Sequence, residues 1–173
     1  MKEILNYLFD NKILSREEAK EVLIRIGKGQ YSDPEIASFL TVYLMRKITP
    51  RELAGFRDAL LELCVSANLS EYNAIDVCGT GGDEKNTFNI STLTAFIIAG
   101  ADVKVVKHGN YGVSSVCGSS NILEYYGYKF SNEENKLRNE IDKANICYLH
   151  ALLLQPAMKS VGPVRKSLKV KTF

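Results

Sequence analysis

Apolar residues recur at helical spacing through the first third of the chain, then give way to short apolar runs that stop at glycine. Ile4, Leu5 and Leu8 share one helical face. Ser15-Arg16-Glu17-Glu18 has the hydroxyl-to-carboxylate spacing of a capping box, and Ala19, Val22, Leu23 and Ile26 follow it as the apolar face of a second helix. Gly27 and Gly29 are expected to end that helix. Asp33-Pro34-Glu35 opens a third, and Thr49-Pro50-Arg51-Glu52 opens a fourth that carries Leu53, Phe56, Leu60 and Leu63. Residues 1 to about 67 therefore read as a small bundle of four short helices. Tyr31, Phe39, Tyr43 and Phe56 fall at helical spacing within it and read as core or as a subunit contact.

The period changes at Ser70-Glu71-Tyr72-Asn73, a polar, hinge-like stretch. Beyond it the pattern predicts a buried strand at 74–78, a helix at 91–100 and a strand at 103–107. Helices at 119–126 and 132–143 and a strand at 146–149 follow. The alternation predicts an α/β domain with a largely parallel sheet, preceded by an all-helical domain, with domains at 1–70 and 71–173. Ligands of such sheets sit beyond the carboxyl ends of the strands, where both glycine-rich stretches of this chain fall.

The first stretch is Asp76-Val77-Cys78-Gly79-Thr80-Gly81-Gly82-Asp83, continued by Thr87-Phe88-Asn89-Ile90-Ser91-Thr92. Three glycines within four positions let a ligand lie against the main chain, and the helix start that follows offers free N–H groups to an anion. No Gly-Lys-Ser/Thr follows, and the glycines are not spaced as in a dinucleotide-binding turn. Asp83 would repel a bare phosphate, so a bound cation or a ribose hydroxyl makes better sense of it. The second stretch, Lys107-His108-Gly109-Asn110-Tyr111-Gly112-Val113-Ser114-Ser115, supplies a cation and hydrogen-bonding groups suited to a pyrophosphate. His108 reads as structural, or as a hydrogen bond across the cleft. Ser119 is a helix cap or a ligand contact, and the two are compatible. Ser131-Asn132-Glu133-Glu134 is expected to cap a helix whose charges, Glu133, Glu134, Lys136 and Arg138, form a solvated face. On its own Arg165 reads as a surface arginine beside Lys159 and Lys166.

Composition narrows the classes. A net charge of +2 over 173 residues argues for neither nucleic acid nor an acidic partner. Four scattered cysteines and two histidines do not suggest a zinc site. Cys64, Cys78 and Cys147 lie in apolar runs and are expected to be buried thiols, which suits a reducing compartment. Met1-Lys2-Glu3 leads into an amphipathic segment rather than a signal peptide, and no apolar run is long enough for a bilayer. The expectation is a cytoplasmic protein.

Gly79-Thr80-Gly81-Gly82-Asp83, Asn89-Ile90-Ser91-Thr92 and Lys107-His108-Gly109-Asn110, in this order and spacing, resemble the anthranilate phosphoribosyltransferases of tryptophan biosynthesis. The resemblance extends to Pro156-Ala157-Met158-Lys159 and Pro163-Val164-Arg165-Lys166. It implies a glycosyltransferase that moves phosphoribose from phosphoribosyl pyrophosphate to the amine of anthranilate and releases pyrophosphate. It implies Mg2+ as cofactor, a homodimer formed through the helical domain, and the fold of nucleoside phosphorylases and phosphoribosyltransferases. Carried over by motif, Gly79, Gly82, Asp83, Thr87, Asn89, Ile90, Ser91 and Thr92 hold the donor, with Ser91 also reaching the metal. Lys107, His108, Gly109, Asn110, Tyr111, Gly112, Val113, Ser114, Ser115 and Ser119 close around it, and Gly79, Asn110 and Arg165 meet anthranilate. No residue is implied as a catalytic nucleophile.

Three positions depart from the family's commoner residues: Tyr111 for arginine, Cys117 for serine and Gln155 for histidine. The family also carries further strands and an Asp-Glu pair for magnesium beyond the matched sequence. The resemblance therefore implies a C-terminally truncated chain that is inactive alone. Pyrimidine nucleoside phosphorylases share the architecture, but they are expected to have a Ser-Thr-Gly-Gly loop and no Lys-His-Gly-Asn. A non-catalytic module, with the helices as a dimerisation element, is the competing reading from another class.

Overall fold

The computed structural model describes residues 1–79, 88–112 and 117–169. They form two compact units, Met1–Cys64 with Gln155–Phe173, and Val65–Leu154. The sequence places a single boundary at 70/71; in the structure the last helix groups with the N-terminal helices instead. None of the helices among the described residues is long and apolar enough to cross a membrane.

The first unit contains α1 (Lys2–Phe9), α2 (Arg16–Gly27), α3 (Asp33–Met45), α4 (Pro50–Leu63) and α9 (Met158–Leu168). α2 and α4 start where the caps predict, α3 takes Ser32 rather than Asp33 as its cap, and α1 follows Met1 without a side-chain cap. Ser15 and Glu18 form a reciprocal capping box at α2, and Thr49 and Glu52 form one at α4. Of the two expected stop glycines, Gly29 takes the left-handed backbone after α2 (φ 69°), whereas Gly27 is still helical. A methyl group on Gly27 would stand 2.6 Å from Leu63 and 2.8 Å from Ala157, so it is small because of packing. α2 crosses α4 closely at Gly55, where an added Cβ would lie 2.2 Å from the Arg16 carbonyl oxygen.

The core of this unit joins Leu23, Ile26, Ile36, Phe39 and Phe56 to Val161 and Val164 of α9. The predicted aromatic set packs edge to face, with Phe39–Tyr43 at 5.2 Å and Tyr43–Phe56 at 5.3 Å between ring centroids. Tyr43 also orders a buried ionic centre. Its hydroxyl donates to Glu52 Oε1 at 3.1 Å, and Glu52 has no exposed surface.

The second unit is α/β. β1 (Val105–Gly109) and β2 (Ile146–His150) pair in parallel, with Lys107 opposite Tyr148 and Gly109 opposite His150. α5 (Ile90–Gly100) packs Ala95 and Ala99 on Val105 of β1, and α7 (Glu134–Ala144) packs Leu137 and Ile141 near Cys147 of β2. α6 (Ser119–Tyr125) and α8 (Ala151–Leu154) complete the described helices of this unit.

Four expectations are corrected here. The strand expected at 74–78 is reduced to one parallel bridge, Ile75 to Val105. The ladder stops because side chains take its next bonds. Val77 O accepts from Lys107 Nζ at 2.9 Å, and the His108 N–H donates to Asp76 Oδ1 at 3.3 Å. Because the ladder ends there, Cys78 is exposed rather than buried, and Cys64 is only half-buried; Cys147 alone is buried as expected. The start of α7 is also not the expected box. Ser131 Oγ accepts from the Glu133 N–H at 3.1 Å, and the Glu133 side chain binds Lys136 rather than capping the helix. Arg138 is no solvated charge either: it binds Glu134 and Glu71 and donates to the Asn68 carbonyl oxygen at 2.6 Å, tying α7 to residues 68–71.

Candidate functional site

The site is built at the carboxyl end of β1, between the start of α5 and the start of α6. Lys107 is its electrostatic centre. It sits on the inner face of β1 and is 2% exposed. Its ammonium donates to Val77 O at 2.9 Å and to Ser91 Oγ at 3.3 Å. Among the described residues no carboxylate forms an ion pair with it. Burial pulls its pKa below the usual lysine value, with smaller opposing pulls from Cys78 and Asp76. A buried ammonium with only neutral acceptors is incomplete as an electrostatic unit, and an anion at this point would complete it.

The first turn of α5 is aimed at the same place. Asn89 is its N-cap but makes no side-chain cap bond; its Nδ2 instead donates to Gly118 O at 3.3 Å. Ser91 stands beside Gly79 so closely that a Cβ there would lie 2.9 Å from Ser91 Oγ. Thr92 is buried, and its Oγ1 has no partner among the described residues. Ile90 is 55% exposed, so its contribution is the backbone of the turn rather than packing.

The loop after β1 folds over the start of α6. Asn110 O accepts from the Ser120 N–H at 3.2 Å and from Ser119 Oγ at 3.3 Å. Asn121 Oδ1 accepts from the N–H groups of Gly112 and Gly118, at 3.0 and 2.9 Å. Glycine is required where these segments touch. A Cβ on Gly109 would lie 2.3 Å from both Ser119 Oγ and Tyr148 OH, and one on Gly118 would lie 2.2 Å from Gly112 N. The Tyr111 hydroxyl donates to Glu124 at 3.3 Å, and its ring meets His150 edge to face at 4.9 Å.

The structure thus brings together Gly79, Asn89, Ile90, Ser91, Thr92, Lys107, His108, Gly109, Asn110, Tyr111, Gly112 and Ser119. Gly82, Asp83, Thr87, Val113, Ser114 and Ser115 lie outside the described residues. Arg165 stands on α9, in the other compact unit, with a buried Nε that meets no partner among the described residues.

Sequence reasoning passed over a hydrogen-bonded row beneath the loop. Tyr148 OH lies 2.6 Å from Ser119 Oγ and 3.1 Å from Ser120 Oγ, and Ser120 Oγ lies 2.9 Å from His150 Nδ1. His150 is stacked on Phe130 at 4.4 Å, and burial lowers its pKa so that the neutral ring is favoured. Tyr148 and His150 are two apart and share a face because β2 runs one residue beyond the predicted 146–149, to His150. Lys107 and Tyr148 also help line a cavity of about 60 Å3 with Thr92, Phe96, Leu123, Tyr128, Ile146 and Cys147.

The sequence matches two parts of one family, the helical bundle domain of the glycosyl transferase family at residues 2–64 and its a/b domain at 71–173. Similar curated proteins are the anthranilate phosphoribosyltransferases of Christiangramia forsetii (64% identical), Flavobacterium johnsoniae (62%) and Bacteroides fragilis (54%). Each match covers the whole of this chain and 52% of the relative, so the chain spans about half the length of the curated relatives it matches. Among solved structures, the anthranilate phosphoribosyltransferase of Thermus thermophilus superposes with a TM-score of 0.76 at 30% identity, over 97% of this chain and 51% of that one. The Saccharomyces cerevisiae enzyme in complex with PRPP and Mg shares the fold, with a TM-score of 0.79 at 24% identity, over 92% of this chain and 48% of that one. A helical bundle joined to a glycine-looped parallel sheet, matched by both family domains over nearly every residue, shows that the chain belongs to the glycosyl transferase family.

Proposed function

We propose that this chain supplies the donor-binding part of an anthranilate phosphoribosyltransferase. In that reaction phosphoribose passes from phosphoribosyl pyrophosphate to the amine of anthranilate, and pyrophosphate leaves. The observation that carries the reading is the buried Lys107 ammonium, held by Val77 O and Ser91 Oγ at the start of α5 with no carboxylate paired to it among the described residues. A phosphate of the donor would take the third ammonium proton and lie at the positive end of α5. Backbone and amide groups of Gly79, Asn89, Asn110 and Gly112 would fix the rest of the donor. Pyrophosphate is a competent leaving group once its charge is neutralised, so positioning and charge compensation suffice and no covalent nucleophile is needed.

Magnesium fits these residues in one respect. Ser91 offers a hard neutral oxygen next to Gly79, the donor type that Mg2+ takes alongside phosphate oxygens. When bound, the ion would neutralise charge on the pyrophosphate. Arg165, whose Nε has no partner among the described residues, is the candidate for the planar carboxylate of anthranilate. Calorimetry of the 173-residue chain tests the reading. Phosphoribosyl pyrophosphate is expected to give saturable heat that strengthens with Mg2+, with no pyrophosphate released on adding anthranilate. No donor heat at millimolar ligand would reject it, and turnover would reject the inactive-alone part.

The helical unit is proposed to pair two copies of the chain. Phe9, Leu44, Met45, Leu53 and Leu61 expose between 48% and 84% of their surface on it. Sedimentation velocity is expected to give about twice the 19.3 kDa chain mass. A purely monomeric boundary at tens of micromolar would remove this part.

A further inference from the structure

Asp76, Cys78 and His108 stand together at the point where the Ile75 bridge breaks off, and all three are exposed. Their order is directional. Asp76 takes the backbone N–H of His108 on Oδ1 at 3.3 Å and holds the ring at Nδ1 with Oδ2. That fixes the tautomer with the proton on Nδ1 and leaves the Nε2 lone pair outward. Nε2 faces Cys78 Sγ at 3.4 Å. The other hydrogen bond of the sulfur goes to Gly79 O at 3.3 Å, which accepts it but cannot carry a proton away. A nucleophile, a base in reach of its proton, and a carboxylate orienting that base are the three parts of an activated thiol.

We propose that Cys78 is a modification site for soft alkylating electrophiles, activated by His108 and Asp76. The step balances without any further reagent. The sulfur attacks the electrophilic carbon, a carbon–sulfur bond forms as the carbon–halogen bond breaks, halide departs with the bonding pair, and the thiol proton passes to His108 Nε2. Because Cys78 directly precedes Gly79, the adduct would stand at the entrance of the glycine loop. Its effect on donor binding rests on the function proposed above; the reactivity does not.

The test is site-resolved alkylation of the intact 173-residue chain with iodoacetamide, read by mass spectrometry. Cys117, also exposed, is the reference in the same sample, and Cys147, buried, reports on folding. Cys78 is expected to react about tenfold or more faster than Cys117 near neutral pH, a modest part of the 10²–10⁴ that a positioned base supplies. His108→Gln is expected to bring Cys78 down to the Cys117 rate, with the Cys117 rate unchanged. Asp76→Asn is expected to give an intermediate rate. Equal rates for the two cysteines in the wild type, or a Cys78 rate indifferent to His108→Gln, overturns the proposal. If Cys147 becomes reactive in the His108 variant, the wild-type rate ratio and the Asp76→Asn rate decide.

Discussion

Lys107→Met is expected to abolish most of the affinity for phosphoribosyl pyrophosphate without lowering the thermal stability of the chain. The two effects separate because Lys107 serves the ligand rather than the fold. Its ammonium is buried against one carbonyl and one hydroxyl, forms no ion pair with a described carboxylate, and gains from Asp76 less than burial costs it. Desolvating an ion costs several kcal/mol, which two neutral acceptors only partly return. Methionine fills the same volume without that cost, while Val77 O loses one hydrogen bond, worth about 1 kcal/mol. Folding is therefore expected to be unchanged or improved, by thermal melts followed by circular dichroism. Binding loses a charge-assisted contact worth about 1.5–3 kcal/mol, roughly 10- to 150-fold in dissociation constant. Donor affinity that survives the substitution within twofold would show that the anion is held elsewhere.

The second large effect is structural. Glu52→Gln is expected to destabilise the helical unit by about 3–5 kcal/mol, the usual result of leaving half of a buried ion pair without its partner. Glu52 is fully buried, and its two oxygens collect donors from four residues. Arg46 forks onto both, with Nη1 at 3.0 Å from Oε2; Thr49 gives its N–H at 3.0 Å and its hydroxyl at 2.8 Å. Tyr43 gives its hydroxyl at 3.1 Å, and the Leu14 N–H approaches to 3.3 Å. A glutamine would turn an NH2 group toward donors and leave Arg46 without a counter-charge.

The same centre sets a pH dependence. Burial alone would raise the Glu52 pKa, but the bonds from Arg46, Thr49 and Leu14 overcome it and hold the group down to about 2, against an ordinary 4.5. The folded value lies below the unfolded one, so the stabilisation is complete above about 4.5 and drains away as pH falls from there toward about 2. Guanidinium unfolding of the wild type between those limits is expected to show that loss, and Glu52→Gln is expected to remove this contribution to the slope. An equal acid sensitivity in both proteins would assign it to other carboxylates.

Glu52 also shows how far reading along the chain reaches. As the third residue of a capping box after Thr49 it is legible from spacing alone, and the box is present. That the same carboxylate is buried and joins Leu14, Tyr43 and Arg46 is a tertiary fact, because those residues lie 6 to 38 positions away. The misread strand has the same origin. Ala74 to Cys78 has a strand's composition, but two hydrogen bonds from Lys107 and His108 decide where the ladder ends. Those donors lie 30 and 32 residues further on.

By itself, the sequence determined the helical bundle, the turn to α/β alternation and the two glycine-rich stretches, because periodicity, caps and glycine act within a few residues. It also carried the family, since the motifs keep their order and spacing. The tertiary structure decided which polar groups share a space: Lys107 buried with no described carboxylate paired to it, Tyr148 and His150 beneath the loop, Cys78 set against His108 and Asp76. Those placements depend on parallel pairing of β1 with β2 and on glycine at Gly109 and Gly118, where loop and helix start approach too closely for any side chain.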